Sequence, residues 1–195
     1  QLDYWARTGL VVPSVRPAGG SGTARLYSFR DILLLKVVKG LLDVAAMAVV
    51  YGPSNSGKTF WTIDLAYHIA IGAPWRGRRV CQASVLYLAA EGGRGVINRV
   101  AALKQSHGVL DVPLAVKRAG LDLLHDQADL QHIVDLSAEV KARLPDAPHL
   151  IVIDTLSRVM AGGDENSAAD MTALIRNIDA VRAATGAHAL LVHHT

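Results

Sequence analysis

The feature that most constrains the fold of this chain is an eight-residue run, Gly52-Pro53-Ser54-Asn55-Ser56-Gly57-Lys58-Thr59. It fits the pattern G-x-x-x-x-G-K-[ST], follows an apolar stretch over 45–51 and precedes an amphipathic stretch over 60–71. Gly52 and Gly57 allow backbone angles in which successive N–H groups point into one hollow, and the following helix adds its positive end there. Lys58 then reaches the outer phosphates, and the Thr59 hydroxyl takes one Mg²⁺ position. The run therefore predicts a loop that binds a nucleoside triphosphate with Mg²⁺, the alternative being an ordinary flexible turn.

From Val44 onward, apolar runs alternate with helical patterns, which indicates β-α-β units around a parallel sheet. The pattern predicts strands at 47–51, 85–89, 114–117, 150–154 and 189–193, and helices at 58–71, 95–107, 127–144 and 167–184. Ser167 and Asp170 read as a capping pair for the last helix, and Gly186 as its stop. We therefore expect an α/β fold in which helices flank a mostly parallel central sheet.

Two carboxylates come at or just after the ends of apolar strands. Asp154 ends the run Leu150-Ile151-Val152-Ile153, and Glu91 follows the run 85–90 and precedes two glycines. In open α/β sheets the carboxyl ends of the strands face the ligand crevice. Asp154 is therefore predicted to hold Mg²⁺ through a water, and Glu91 to orient the water that attacks the γ-phosphate. The alternatives are a turn-capping aspartate and a helix-capping glutamate.

A third apolar strand ends in His193-His194. A histidine there is predicted to sense the γ-phosphate, with His194 preferred over His193, while the alternative is an ordinary polar strand end. A metal site is disfavoured, since adjacent side chains point to opposite faces of a strand and no ligand set accompanies them. The stretch 158–166 is predicted to be a loop; contact with nucleic acid or a neighbouring subunit is one interpretation of it, although its net charge is unfavourable for phosphates.

Charge is unevenly distributed along the chain. Residues 1–43 carry six Lys or Arg and three Asp, whereas the remaining residues carry fourteen of each sign, so the formal net charge of +3 lies entirely in the first segment. A small basic segment beside a neutral one indicates two modules, the first of which is the candidate for nucleic-acid contact. The single cysteine, Cys81, cannot form an internal disulfide, which favours a cytoplasmic location. No apolar run is long enough to span a membrane, so we expect no membrane partner.

The four motifs GPSNSGKT, YLAAEGG, LIVIDTLSRVMAGGDENSAAD and ALLVHHT occur in this order. From about residue 39 to 195 the chain resembles RecA-like P-loop ATPases, and within them the RepA-type branch of phage and plasmid replication helicases. The resemblance implies that Lys58 and Thr59 contact phosphate and Mg²⁺, that Asp154 is the second-motif acid, that Glu91 is the catalytic carboxylate and that His194 is the sensor. It also implies hexameric rings in which ATP hydrolysis drives movement along single-stranded DNA. The chain ends at the fourth of these motifs, before the strands that carry the family's arginine finger, so we expect ATP binding to survive better than hydrolysis.

The first 40 residues resemble a different family, the winged-helix DNA-binding segment of MerR-type transcription regulators. The resemblance rests on QLDYWARTGL, on the turn-rich stretch 12–23 and on RLYSFRD at 25–31. It implies that Tyr4 and Arg7 lie on a recognition helix, and that Arg16 and Arg25 contact phosphates from the wing. The supporting first helix and the long dimerising helix of that family are not present, so the winged helix is expected to be partial.

We therefore expect two parts, a partial MerR-type winged helix over 1–40 and a C-terminally truncated RecA-like ATPase core over 41–195. The leading hypothesis is an Mg·ATP-binding, helicase-related ATPase. The first alternative is a DNA-binding transcription regulator with a vestigial nucleotide-binding domain, which would bind duplex DNA without needing Lys58. The second alternative is a fusion fragment with neither activity, with its junction near 36–43.

Overall fold

The structure, a computed structural model, describes residues 47–118, 120–125 and 127–194. Five strands and four α-helices alternate along this part of the chain. They are β1 (Met47–Gly52), α1 (Lys58–Ile71), β2 (Ser84–Ala89), α2 (Gly93–His107), β3 (Leu114–Arg118), α3 (Gln127–Lys141), β4 (His149–Asp154), a 3₁₀ helix (Ser157–Met160), α4 (Ala168–Thr185) and β5 (His188–His194). The predicted alternation of strands and helices is confirmed.

The strands form one sheet in the order β1-β5-β4-β2-β3, and every pairing is parallel. β5, the last described strand, lies between β1 and β4, so it separates the strand before the phosphate loop from the strand that ends in Asp154. Parallel strands need helical crossovers on the sheet faces, and the four helices provide them.

The core has two layers because alternate residues of the central strands face opposite sides. On one side, Val85, Tyr87 and Val152 pack with residues of α1 and α2. On the other side, Leu88 and Ile153 pack with residues of α3 and α4. All residues of β2 and β4 are buried, which explains why these strands read as continuous apolar runs rather than alternating patterns.

Helix ends differ from the predicted bounds for local reasons. α2 begins at Gly93 instead of residue 95, because Gly92 in the left-handed region lets the chain turn directly from β2 into the helix. α3 ends at Lys141 instead of residue 144, since the chain there tightens into i→i−3 turns before Pro145. Ser167 caps α4 as predicted, accepting a hydrogen bond from the amide of Asp170.

The stretch predicted as a loop over 158–166 is partly helical. Residues 157–160 form the 3₁₀ helix, and its Val159 and Met160 are buried in the core layer beneath α3 and α4. The predicted loop was therefore wrong for this half, because two apolar side chains anchor it to the core. The predicted contacts of Tyr4, Arg7, Arg16 and Arg25 lie outside the described residues. Within the described part of the chain, no helix has the length and apolarity to cross a bilayer.

Candidate active site

The carboxyl ends of four neighbouring strands bring the predicted site residues to one edge of the sheet. Gly52 pairs with His194, and Ala89 pairs with Asp154. Just beyond the end of β2, the amides of Ala90 and Glu91 both donate to the carbonyl oxygen of Asp154, at 2.8 and 3.2 Å. These backbone bonds hold Glu91 beside Asp154 even though 62 residues separate them along the chain.

The glycine-rich loop connects β1 to α1 at this edge. Asn55 and Gly57 both adopt the left-handed backbone conformation, at φ of 60° and 83°. A Cβ at Gly57 would clash with no neighbouring atom, but a side chain there would strain the backbone because of its positive φ. No side chain caps the first turn of α1, in contrast to the capped α4. The first amides of α1 therefore keep their hydrogen-bonding capacity for a ligand, and the helix dipole favours an anion there.

Lys58 extends back into the loop that precedes it. Its Nζ donates to the carbonyl oxygens of Gly52 and Pro53, both at 2.7 Å, and lies 3.5 Å from Ser56 Oγ. The residue is only 3% exposed. Burial lowers the pKa of Lys58, and the carboxylates of Asp154 and Glu91 oppose that change. The ammonium group is thus held by neutral carbonyl groups, within the field of two acids.

Asp154 receives hydrogen bonds from two sides. The Tyr87 hydroxyl donates to Oδ2 at 2.7 Å, and the Thr59 hydroxyl donates to Oδ1 at 3.3 Å. Burial raises the pKa of Asp154, the two hydrogen bonds oppose the rise, and the charge of Glu91 adds to it. The pKa of Tyr87 is raised well above 10, first by burial and then by the charge of Asp154. A proton therefore stays on Tyr87, which makes it a permanent donor to the aspartate.

The Glu91 carboxylate contacts three side chains from two other strand ends. Thr155 Oγ1 donates to Oε2 at 3.4 Å, and Arg158 Nη2 donates to Oε1 at 3.4 Å. His194 Nε2 lies 3.7 Å from Oε2. Glu91 remains 45% exposed at its side chain, so it faces the solvent-accessible space above the sheet edge.

The two terminal histidines of β5 diverge, as their alternation along a strand requires. His194 lies between the phosphate loop and the acid, with Nδ1 3.4 Å from Ser54 Oγ and Nε2 toward Glu91. His193 lies instead 3.9 Å from Glu165, a residue of the segment that follows the 3₁₀ helix. Of the two, only His194 lines the cavity described next.

A cavity of about 940 Å³ opens above these strand ends. Every predicted site residue of the described chain except Gly52 and Pro53 lines it, and both of those backbone carbonyls bind the Lys58 ammonium. An adjoining cleft of about 650 Å³ runs between α1 and α2. The two spaces share Ser56, Gly57, Phe60 and Arg99, so they are continuous.

Phe60 and Arg99 form the boundary between the cavity and the cleft. The Phe60 side chain is 60% exposed, unusual for a large apolar residue, and the Arg99 guanidinium carbon lies 3.7 Å from its ring centroid. The wall of the cleft is largely apolar, and its acid, Asp64, accepts a hydrogen bond from Trp75 Nε1 at 2.8 Å. The cleft therefore offers flat stacking surfaces and few free hydrogen-bonding groups.

The sequence did not identify four residues of this region as part of the site: Phe60, Tyr87, Arg99 and Arg158. Tyr87 was counted among apolar strand residues, yet a phenol in a fully buried strand needs a partner, and that need was a usable signal. Nothing in the local pattern distinguished Arg99 or Arg158 from the other arginines of the sequence. Their positions depend on which helix faces the loop, and spacing does not reveal that.

The oxygens of Thr59 and Asp154 suit Mg²⁺, which prefers hydroxyl, carboxylate and phosphate oxygens. The two groups lie within hydrogen-bond distance of each other beside the loop, so the residues present fit the cation. Among the described residues no group of three or more His, Cys, Asp or Glu forms a metal-binding cluster. Mg²⁺ in phosphate sites typically takes one or two protein ligands and completes its shell with phosphates and water, so no such cluster is needed.

Two family models match parts of the chain. The family model described as an AAA domain matches residues 28–195, and the model of MerR HTH family regulatory proteins matches residues 1–48. The two matches overlap over 28–48, the range that contains the predicted boundary at residue 40. The boundary itself stays a prediction.

Three curated relatives match the chain, all over a short length. They are uncharacterized HTH-type transcriptional regulators of Mycobacterium bovis and of two strains of Mycobacterium tuberculosis, each 77% identical over 43 residues. The match covers 22% of this chain and 19% of each relative. It supports the MerR-type resemblance at the N-terminus and carries no information about the rest of either protein.

Among solved structures, the fold resembles that of a DnaB-like replicative helicase described together with its interactions with primase. The TM-score is 0.50 at 10% sequence identity, over 75% of this chain and 39% of that one. At this identity the likeness shows the fold alone. Together with the AAA domain match it confirms a RecA-like α/β fold in which helices flank a parallel central sheet.

Proposed function

The chain belongs to the AAA domain family, and on that premise we propose that it binds Mg·ATP in the cavity above the strand ends and hydrolyses it. One observation carries the proposal. An uncapped helix start, the Lys58 ammonium, the Thr59–Asp154 pair and the Glu91 carboxylate all border the same cavity of about 940 Å³. These are the positive, cation-binding and basic groups that phosphoryl transfer needs, placed within one space.

Binding draws on the loop and on Lys58. Phosphate oxygens accept hydrogen bonds from the amides at the start of α1, and they replace the carbonyls of Gly52 and Pro53 as partners of the Lys58 ammonium. The exchange favours the ligand, because a phosphate carries full negative charge whereas a carbonyl carries only a dipole. Thr59 and, through a water, Asp154 would hold Mg²⁺, and the bound cation would supply neutralisation of charge on the outer phosphates.

In the proposed hydrolysis reaction, Glu91 is the general base. A water oxygen forms a bond to the γ-phosphorus while the bond from that phosphorus to the β-bridging oxygen breaks, so ADP leaves with those bonding electrons. The water proton passes toward the Glu91 carboxylate. His194 lies between Ser54 and Glu91, and it is proposed to report the presence of the γ-phosphate to both.

The cleft between α1 and α2 is proposed to receive the base and ribose. It adjoins the phosphate cavity at Phe60, two residues beyond Lys58. Arg99 and Phe60 provide a cationic and an aromatic stacking surface for a flat base. Because few polar groups remain free in the cleft, stacking contributes more to base binding than hydrogen bonding does.

We further propose that hydrolysis is coupled to single-stranded DNA in a ring of several copies, six by resemblance. The support is the RecA-like fold and its likeness to a replicative helicase. Light scattering of the chain with and without Mg·ATP tests assembly, and the hydrolysis rate with added oligo(dT) tests coupling. A chain that stays monomeric and unstimulated by DNA in both conditions would contradict this part.

A second candidate function is duplex-DNA binding by a transcription regulator. The observation in its favour is the MerR HTH match over 1–48, together with relatives named as HTH-type transcriptional regulators. Sequence-selective duplex binding that persists in Lys58→Ala and is lost on replacing Arg7 and Arg16 would support it. The same experiment tests the proposed division into 1–40 and 41–195, since the two activities would then depend on different parts of the chain.

The experiment that tests the main proposal is titration of a fluorescent ATP analogue with Mg²⁺. Lys58→Ala is expected to weaken binding at least tenfold, about 1.4 kcal/mol. Lys104→Ala is the matched control, because it removes the same charge from the last turn of α2, away from the phosphate loop. Equal affinities of wild type, Lys58→Ala and Lys104→Ala, or no binding by folded protein, would overturn the proposal.

A further inference from the structure

Among the described residues, Arg158 is the arginine that pairs with the proposed catalytic carboxylate, Glu91. It lies on the 3₁₀ helix that follows β4, four residues beyond Asp154, and it lines the same cavity as Lys58 and Thr59. Its Nη2 contacts Glu91 Oε1 at 3.4 Å, and its side chain is 63% exposed. A mostly exposed guanidinium thus lines the cavity beside Glu91.

The backbone of Arg158 is fixed while its side chain is free to move. The next two residues, Val159 and Met160, are fully buried. The amide of Arg158 donates to the Thr155 carbonyl, and that of Val159 donates to the Leu156 carbonyl. Within the described part of the chain, Glu91 is the one side chain that pairs with the guanidinium. An exposed ion pair of this kind contributes little, about 0–1 kcal/mol, so the contact is easily exchanged.

The outer phosphate of a bound nucleotide would lie within reach of this guanidinium. A general base stands about 3 Å from the water it activates, and that water stands about 3 Å from the phosphorus it attacks. Because Arg158 contacts Glu91 at 3.4 Å and lines the same cavity, a γ-phosphate whose attacking water is held by Glu91 would lie within reach of the arginine side chain. A phosphate with several charged oxygens binds the planar guanidinium group more strongly than a single carboxylate does.

We propose that Arg158 exchanges Glu91 for the outermost phosphate when a nucleoside triphosphate binds, and that it stabilises the charge on the transferred γ-phosphoryl group from within the same chain. This inference rests on the proposed function of the site. The exchange does two things at once. It releases the Glu91 carboxylate to orient the attacking water, and it brings a cation to the outermost phosphate. Arg158 forms and breaks no covalent bond.

If Arg158 only restrained Glu91, its removal would have the opposite effect on hydrolysis. If Arg158 only held Glu91 away from the water, then removing it would free the carboxylate and speed hydrolysis, with no change in nucleotide affinity. If Arg158 contacts the outermost phosphate, removing it must weaken triphosphate binding and slow hydrolysis, but leave diphosphate binding nearly unchanged. The two roles therefore differ in sign as well as in ligand.

The test compares wild type, Arg158→Ala and Arg158→Lys in binding to a non-hydrolysable ATP analogue and to ADP, both with Mg²⁺. Arg158→Ala is expected to weaken the triphosphate analogue about tenfold, about 1.4 kcal/mol, and ADP less than twofold. Arg158→Lys should recover part of the loss, since it keeps the charge without the fork. Arg176→Ala, an exposed arginine of α4, is the matched control and should change neither affinity.

A second measurement combines Arg158→Ala with Glu91→Gln. Because Glu91→Gln removes the competing ion pair, the Arg158→Ala substitution should cost more triphosphate affinity in that background than in the wild type. Circular dichroism and melting temperature check that all variants are folded. Equal losses for ADP and the triphosphate analogue, unchanged affinity for both, or faster hydrolysis by Arg158→Ala would each overturn the inference.

Failure of this inference is distinguishable from failure of the proposed function. If wild type binds both nucleotides in a Lys58-dependent manner while Arg158→Ala leaves the triphosphate preference intact, then the phosphate site stands and the role of Arg158 is wrong. If wild type binds neither nucleotide, the proposed function itself fails, and the inference fails with it.

Discussion

The hydroxyl of Tyr87 lies 2.7 Å from Oδ2 of Asp154, across the boundary between the core and the candidate site. Tyr87 belongs to the middle of β2 and is completely buried, whereas Asp154 ends the neighbouring strand β4 and lines the cavity. The tyrosine thereby occupies one carboxylate oxygen from the core side. The other oxygen, Oδ1, is left facing Thr59 and the phosphate loop, in the orientation that a cation ligand needs.

Tyr87→Phe is therefore expected to weaken the Mg²⁺ dependence of nucleotide binding without touching the phosphate loop. Loss of a hydrogen bond to a charged group raises the pKa of Asp154 further and frees the carboxylate to rotate. We expect the Mg²⁺ concentration for half-maximal ATP binding to rise threefold to tenfold. Titration of Mg²⁺ at fixed ATP analogue measures it.

Tyr67→Phe is the matched control for that prediction. Tyr67 is equally buried, and its hydroxyl donates to the carbonyl oxygen of Val109 at 3.1 Å, within the layer between α1 and α2. Both substitutions should reduce the free energy of unfolding by about 1 kcal/mol or somewhat more. Only Tyr87→Phe should alter the Mg²⁺ requirement; an equal change in both variants would contradict the assigned orientation of Asp154.

Tyr87 illustrates which features of the site could be predicted from the sequence alone and which could not. The loop, the strand ends and the alternation of elements were predictable, because each depends on a local pattern such as the glycines of the loop or the apolar run before Asp154. The contacts between Tyr87 and Asp154, or between Arg158 and Glu91, depend on strand order. That order brings together β2 and β4, which lie more than 60 residues apart along the chain.

The predicted loop over 158–166 was wrong at residues 158–160 for a related reason. Gly162, Gly163 and Asn166 favoured an irregular segment, and the sequence offers no sign that Val159 and Met160 have a core to join. Their burial becomes apparent only once α3 and α4 are placed on that face of the sheet. The burial of Val159 and Met160 also fixes the backbone of Arg158. No local sequence pattern predicts this.

Arg99→Ala is expected to weaken nucleotide binding through the base and not through the phosphates. The guanidinium stacks on Phe60 at the entrance of the cleft, so its loss removes one stacking surface, worth about 0.5–2 kcal/mol. Affinities for ATP and GTP should both fall about threefold to tenfold. Competition by inorganic tripolyphosphate, which has no base, should stay within twofold of wild type.

Those two competitors separate the possible roles of Arg99. A loss of tripolyphosphate affinity equal to the loss of ATP affinity would place Arg99 on the phosphates and contradict the base cleft. Arg94→Ala serves as the control, since Arg94 lies on the first turn of the same helix and is exposed. It should leave the affinities for all three ligands unchanged.

His194→Ala and His193→Ala are expected to differ although the two residues are adjacent. His194 lies between Ser54 and Glu91, so its removal uncouples the phosphate loop from the general base Glu91. The substitution should slow ATP hydrolysis at least tenfold. Binding of the ATP analogue should stay within threefold of wild type. His193 lies toward Glu165, and its removal should change the rate less than threefold. Equal rates for the two variants in a phosphate-release assay would refute the sensor role of His194.

Acid should destabilise the fold through a buried histidine outside the site. His149 at the start of β4 has its Nδ1 2.8 Å from Ser84 Oγ, and burial lowers its pKa from 6.5 to about 4. Between pH 6.5 and 4 the unfolded chain therefore binds a proton that the folded chain excludes, so stability falls as the pH is lowered through this window. The full difference is on the order of 3 kcal/mol.

His149→Asn removes the titration while keeping a polar group near Ser84. It should lower stability at pH 7, where the hydrogen bond is best formed, yet flatten the loss of stability between pH 7 and 5, as urea unfolding at each pH would show. His188, whose pKa burial also lowers to about 4, retains its own share of the slope. If instead the wild-type slope persisted in His149→Asn, the acid sensitivity would belong to other groups.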